Sequence, residues 1–247
     1  MSRFKIPEIW DNDKPVYIIG GGPSIAYAAR VSSPTKDSIK TVAEFLKPIH
    51  NARVIGVNNA YMLGSWIDVL WFGDCNWYVF HEKNLEKTFR GLKTSCCPRF
   101  QNNPKRGVVF FGRDSEKTSG ITTKKDKIAW NKNSGSSAIN VAYHLGARKI
   151  ILLGFDMQDG KKEDTHWHGG HKEGAHNRKR RPFSAPYGRF LQGFPQIAAD
   201  AKNLGVQIVN AVHPDIGSAL DYFPKVTIKE VLDHANKEMV SVENAVV

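Results

Sequence analysis

The chain has 247 residues, 41% of them hydrophobic, enough to bury a substantial core and near the upper range for one domain. Its 35 basic and 24 acidic residues give a formal net charge of +11, which favours phosphate-bearing or otherwise anionic partners. No apolar run reaches the ~18 residues of a membrane span, the N-terminal MSRFKIPEIWDND lacks the apolar core of a signal peptide, and Cys75, Cys96 and Cys97 form no recognisable disulfide framework; a soluble protein in a reducing, cytoplasmic setting is expected.

The first apolar run, 16–19, reads as a strand that passes directly into Gly20-Gly21-Gly22-Pro23-Ser24 and then a helix over 25–30. Such a turn lets backbone approach a ligand, and a helix start attracts anions. The spacing is neither G-x-G-x-x-G nor G-x-x-x-x-G-K-[ST], which argues against a redox dinucleotide site and a P-loop and leaves a structural glycine turn as the alternative. An amphipathic helix follows over 39–49, then a strand over 54–57 ending in Asn58-Asn59, and a strand over 68–72 ending in Gly73-Asp74. Residues 81–90 read as a helix, 94–106 as irregular, and 107–111 as a strand. The polar stretch 113–133 reads as a surface loop whose Lys124, Lys125 and Lys127 form a solvated face or hold an anionic substrate.

The most ordered signal is the stretch 133–158. Ser134, Gly135, Ser136 and Ser137 can cap a helix running to Leu145, Gly146 suits its left-handed stop, and 149–153 reads as a buried strand in which Ile150 to Leu153 form a continuous apolar run. Gly154, Phe155 and Asp156 then lie just beyond a strand's carboxyl end, where open α/β sheets bind ligands. In a parallel sheet this exit and the GGGPS, NNA and GDCN exits would gather on one rim.

The next segment holds His166, His168, His171 and His176 among Lys161, Lys162, Arg178, Lys179, Arg180 and Arg181. A loop of about 20 residues without apolar periodicity is usually functional or mobile, and 159–186 reads as a lid-like insertion. Three readings of its histidines compete: a general base, a set of metal ligands, or a basic surface. The Arg178 to Arg181 run also suits contacts to nucleic-acid phosphates. A helix over 187–204 with a bend at Pro195, a strand over 206–209, a short helix over 215–223 and a helix over 227–237 complete the pattern, with a frayed tail at 239–247. The whole of 1–247 reads as one α/β domain.

The GGGPS turn, the NN exit, the NSGSSAINVAYHLGARKIILLGFDM block, the THWHGGH segment and the closing VQIVNAVHPD together resemble the bacterial sialyltransferases of glycosyltransferase family 42. The central block is also similar to the 6-hydroxymethylpterin diphosphokinase MptE-like family and to related bacteriophage-encoded proteins. The resemblance spans roughly residues 15–224 and implies a Rossmann-like, glycosyltransferase A-like α/β fold with a mostly parallel sheet. It further implies that Gly20, Gly21, Gly22, Pro23 and Ser24 approach the nucleotide phosphate, and that Asn58 or Asn59 contacts nucleotide or donor sugar. Ser134 and Gly135 would bind at a helix start, and Gly154, Phe155 and Asp156 would line the base and ribose pocket. His171 matches the lid histidine that acts as general base, with His168 and His166 as alternatives. Where those enzymes carry tyrosines after their G-I-D and in the lid, this chain has Gln158 and no tyrosine before Tyr187, and Gly73-Asp74 stands in place of their N-P-G; these departures point away from a sialic-acid donor.

The expected function is therefore transfer of a sugar from a nucleotide-activated donor to an acceptor hydroxyl on a glycan or a modified DNA base, with no cofactor required. Lys161 and Arg178 to Arg181 would hold phosphate or acceptor. Under the MptE-like alternative, a diphosphotransferase would use ATP and magnesium held by Asp74 or Asp156. A non-catalytic nucleic-acid-binding protein is the third reading. A phage-encoded chain would work in host cytoplasm, and homo-oligomerisation stays open.

Overall fold

A computed structural model describes residues 8–11, 13–103, 107–161, 164–169 and 187–245, with side chains up to 237. The described strands are β1 (Val16–Ile19), β2 (Arg53–Val57), β3 (Val69–Phe72), β4 (Leu92–Ser95), β5 (Val108–Phe110), β6 (Gly112–Arg113), β7 (Lys127–Ile128), β8 (Lys149–Leu153), β9 (Gln207–Val212) and β10 (Lys225–Thr227). The α-helices are α1 (Ser24–Ala28), α2 (Ile39–Phe45), α3 (Cys75–Thr88), α4 (Ser134–His144), α5 (Tyr187–Leu191), α6 (Phe194–Asn203) and α7 (Ile228–Ala245).

Eight strands form one sheet in the order β10-β9-β8-β1-β2-β3-β4-β5, every neighbouring pair parallel. The all-apolar β1 explains the arrangement: VYII is buried on both faces, as a central parallel strand must be. Tyr17 and Ile19 face a core shared with α1, α2, α3 and α7, whereas Val16 and Ile18 face one shared with α4 and α6. From β1 the chain leaves toward β2, and from β8 it leaves toward β9 on the other side. The crevice between the carboxyl ends of β1 and β8 is thus the topological switch point, the preferred ligand position in open α/β sheets.

Several sequence expectations are corrected here. β4 lies in a stretch read as partly irregular, because LKTS looks polar; Thr94 Oγ1 donates to Leu70 O (2.8 Å) and Ser95 Oγ to Phe72 O (2.7 Å), so its hydroxyls are satisfied inside the sheet. Pro48 shortens the helix expected over 39–49 to α2 plus a 3-10 turn, and Pro195 opens a separate α6, splitting the helix expected over 187–204. Residues 215–223 form turns rather than a helix, and β10 follows them. At the chain's end α7 runs to Ala245 through the tail expected to fray, started by a capping box in which Thr227 and Glu230 exchange hydrogen bonds. Among the described residues no helix is long and apolar enough to cross a membrane.

The cysteines also differ from expectation. Cys75 and Cys97 form a disulfide, and Cys96 is free and buried. The partners stand just past the carboxyl ends of β3 and β4, hydrogen-bonded neighbours in the sheet, so strand pairing closes a distance that spacing in the chain hides. The cysteine argument for a reducing compartment therefore lapses.

Candidate functional site

All parallel strands exit on one rim, so the GGGPS turn after β1, Asn58 and Asn59 after β2, Gly73 and Asp74 after β3 and Gly154 to Asp156 after β8 share one edge of the sheet. Next to the switch point β1 and β8 are stitched together: Gly20 N donates to Leu153 O and Gly22 N to Gly154 O, both at 2.8 Å. Beneath Gly22 lies Asp156, whose Oδ2 accepts from Ser24 N at 2.8 Å. A Cβ on Gly22 would sit 2.5 Å from that same oxygen, which is why the turn needs glycine there. Burial pushes the Asp156 carboxyl up to about 6, against the opposing pull of the hydrogen bond from Ser24 N.

This geometry changes the role expected of the turn. Its Gly20, Gly22 and Ser24 amides already have protein acceptors and Pro23 has none to offer, so Gly21 N alone lacks a partner among the described residues. A multi-amide phosphate cradle is absent for that physical reason. Phe155 is likewise not open to a base: its buried ring packs against Gly20 and Gly135, and its carbonyl accepts from Ser218 Oγ at 2.8 Å. It acts as a spacer between the two turns.

At the start of α4 the cap is Asn133, whose Oδ1 accepts from Gly135 N at 2.8 Å. The serines credited with capping instead donate back into the turn, Ser136 and Ser137 to Asn133 O. Ser134 O is engaged by Trp71 Nε1 at 3.0 Å. Asp74 caps α3, with Oδ1 accepting from Asn76 N at 2.8 Å, and Gly73 is roofed by the Trp130 ring, on which the Arg113 guanidinium stacks at 4.2 Å. Asn58 has a left-handed backbone, φ 51°.

The described part of the histidine segment docks onto the rim rather than overhanging it. Trp167 is fully buried, its indole donating to Gly20 O at 2.8 Å and its backbone N to Gly21 O at 3.1 Å. On either side of it, His166 packs over Gly21 and His168 is buried beside Asn59, with the two imidazoles 5.0 Å apart. Asp164 ties the segment to α1 through Tyr27 OH at 2.6 Å. Lys161 pairs with Asp215 on the surface at 2.9 Å, which takes up the charge expected to meet phosphate. His171, Arg178, Lys179, Arg180 and Arg181 lie outside the described residues.

The described residues hold no cluster of three or more His, Cys, Asp or Glu side chains fit for a metal. Of the two carboxylates considered for magnesium, Asp74 uses Oδ1 to cap α3 and Asp156 uses Oδ2 to accept from Ser24 N. The 113–133 segment, expected to be a lysine-bearing surface loop, is also tied down: Lys124 pairs with Asp114 and Glu116, and Lys125 with Glu8. A cleft of about 330 Å³ in that region, between Asp114, Lys117, Thr122, Lys124 and Asp200, has its charges paired.

Sequence reading missed Trp77, Trp167 and Tyr27. A lone tryptophan inside the polar THWHGG run was the available signal for an anchor.

No family model matches the chain, and no curated protein is significantly similar to it in sequence. Among solved structures, the MAf glycosyltransferase from Magnetospirillum magneticum AMB-1 superposes over 98% of this chain with a TM-score of 0.56 at 13% identity. The fold is glycosyltransferase-like. This chain covers 39% of the length of that glycosyltransferase. The sialyltransferase CstII from Campylobacter jejuni also matches, in complex with cytidine-5'-monophosphate (TM-score 0.46, 12% identity, 88% of this chain and 86% of that one) and with CMP-3FNeuAc (0.42, 14%, 87% and 85%). Those two scores are too low to carry residue correspondence, so the glycosyltransferase-like fold rests on the first superposition.

Proposed function

We propose that the chain is a nucleotide-dependent transferase that moves a sugar from a nucleotide-sugar donor to an acceptor hydroxyl. One observation carries this reading. Ser24 Oγ, Asn58 Oδ1, Asp156 Oδ1 and Asn210 Oδ1 are the buried side-chain polar atoms without a partner among the described residues. Ser24, Asn58 and Asp156 follow β1, β2 and β8, and Asn210 lies within β9, so the four come from consecutive strands of the sheet on both sides of the switch point. Buried polar atoms left unpaired cost free energy, so such a cluster at a ligand crevice is best explained by a ligand that completes it. Three of the four are Asn or Asp oxygens, matched by the hydroxyl and amino donors of a nucleoside.

With most of the glycine-turn amides spent, the donor's phosphate is assigned to Gly21 N and to Arg178, Lys179, Arg180 and Arg181, which would stabilise the leaving nucleotide. A histidine of the 166–171 segment takes the acceptor's proton as its oxygen attacks the anomeric carbon and the sugar–phosphate bond breaks. In the family 42 resemblance that histidine is His171, and His166 and His168 are the described alternatives. The net charge of +11 favours an acceptor that carries negative charge, with acidic glycans and DNA as the two to test. No observation favours the diphosphotransferase.

A thermal-shift series with nucleoside mono- and diphosphates and their sugar conjugates tests the reading, since a ligand at 100 times its Kd stabilises the folded state by about 2.7 kcal/mol. At least one nucleotide should raise Tm, and its sugar conjugate should be turned over. Alanine at the base should cut turnover about 10²–10⁴-fold while nucleotide binding persists. If no nucleotide shifts Tm and no conjugate releases nucleotide, the transferase reading is wrong.

A further inference from the structure

Among the described residues, Ile9, Val79, Phe80 and Tyr222 are the exposed large hydrophobic side chains, and Val79 and Phe80 are neighbours on α3. Single apolar residues scattered over a surface are ordinary, but an adjacent pair on the solvent face of a helix calls for a reason. α3 buries Trp77, Tyr78, His81 and Leu85 against the rest of the molecule. Its opposite face runs from Asn76 through Val79 and Phe80 to Lys83 and Lys87, all exposed and three or four positions apart, so they form one stripe. Phe80 is 58% exposed and Val79 48%. Lys83 and Lys87 follow on the next two turns with no ion pair among the described residues. A further cation stands alongside: the Cys75–Cys97 bond and the packing of Phe100 on Tyr78, at 4.8 Å between ring centroids, bring the exposed Arg99 next to the helix. Glu86 lies to one side of the stripe.

Size and charge select what this face meets. Two apolar side chains cannot supply the roughly 800 Å² per partner of a standard protein interface. Pairing with a second copy through the same face would set the Lys83 and Lys87 row of one copy against that of the other. A nucleic-acid backbone would meet the lysines but leave Val79 and Phe80 in water. A bilayer that carries anionic lipid meets both, because its interface accepts a shallow apolar insertion and its headgroups accept the lysines, whose stems lie along the apolar boundary. The net charge of +11 draws the chain toward the same surface.

We propose that the outer face of α3 is a peripheral membrane-docking surface, in which Val79 and Phe80 enter the interface of an anionic bilayer while Lys83, Lys87 and Arg99 contact its headgroups. α3 starts just past the carboxyl end of β3, on the rim that carries the candidate site, and Phe80 lies about 8 Å further along the helix axis. Docking by this face therefore holds the rim beside the bilayer. The surface is inferred without the transferase reading; where both hold, the acceptor is one presented at a membrane.

Co-sedimentation of the full chain with vesicles tests the proposal, comparing phosphatidylcholine alone with a phosphatidylcholine–phosphatidylserine mixture. Binding is expected to the mixed vesicles only, and it should weaken as salt rises. Phe80→Ser and the double variant Lys83→Glu/Lys87→Glu should each lower partitioning about 10-fold or more. Lys14→Glu/Lys202→Glu makes the same change of net charge at exposed positions before β1 and on α6, and should lower it only slightly. Thermal melts of the variants, whose altered side chains are exposed, should match the unaltered chain. Absence of binding to the mixed vesicles overturns the proposal, as do equal losses in the two lysine pairs. Binding that survives Phe80→Ser overturns it too, since attachment would then be electrostatic alone, as to a nucleic acid. A dimer in solution that Phe80→Ser dissociates would assign the face to a second copy instead. None of these readouts uses turnover, so a missing transferase activity would count against the function proposed above and leave the docking surface standing.

Discussion

Asp156 illustrates how one buried carboxylate sets the properties of the rim. Its Oδ2 holds the Ser24 amide, its own backbone carbonyl accepts from Ala219 N at 2.8 Å, and burial raises its folded-state carboxyl from 3.8 to about 6. A raised acid pKa means that the folded state binds more protons than the unfolded state between pH 4 and 6. Stability contributed by this group therefore falls as pH rises through that window and stays low above it, by roughly 3 kcal/mol in all. Asp156→Asn keeps an acceptor for Ser24 N and removes the charge. Urea unfolding of both proteins across pH 4–8 should show them similar near pH 4 and the Asn variant more stable above pH 6; a pH-independent difference would mean that Asp156 is not the titrating group.

At the scale of elements, the segment between β5 and α4 shows how a stretch without apolar periodicity can still be packed. Asn140 of α4 accepts from Thr122 N (3.0 Å) and Ala129 N (2.9 Å) and donates to Thr122 O (3.1 Å). Asn131 accepts from Gly120 N (2.7 Å), and Asp200 of α6 accepts from Ile121 N (2.7 Å). These buried side chains do for the segment what a neighbouring strand does in a sheet, and they deliver Trp130 onto Gly73 and Asn133 to the start of α4. Asn140→Ala would orphan two buried N–H groups and a carbonyl, so a loss of about 3 kcal/mol or more is expected in chemical denaturation. A loss below ~0.5 kcal/mol, the range of ordinary surface substitutions, would show that water replaces the side chain at little cost.

Across the whole molecule, the disulfide joins two parallel strand ends near one edge of the eight-stranded sheet. The sequence separation of 22 residues between Cys75 and Cys97 corresponds to about 3 kcal/mol of unfolded-state entropy removed by the link. For a chain of this size, reduction should lower Tm by about 6–12 °C. Melting with and without reductant, alongside a free-thiol count in the unreduced unfolded chain that should find Cys96 alone, checks both the bond and its effect. An unchanged Tm would place the link outside the cooperative core.

Much of the architecture follows from local signals. β1 and β8 appear at their observed bounds as apolar runs, because a central parallel strand must be hydrophobic on both faces, and the Gly-rich or Asn-rich exits mark their rim because turns need those residues. Polar strands such as β4 escaped notice, since their hydroxyls are satisfied by partners on the next strand. What only the tertiary structure decided are the pairings between distant residues: Ser24 with Asp156 across 132 positions, Gly20 with Trp167 across 147, and Cys75 with Cys97. Each depends on which strands become neighbours, and periodicity in one stretch of chain carries no record of that. The sequence alone thus established a parallel α/β sheet whose Gly-rich and Asn-rich strand exits share one rim. The folded chain decided that the glycine turn is closed by Asp156 and that the histidine segment is anchored to it by Trp167.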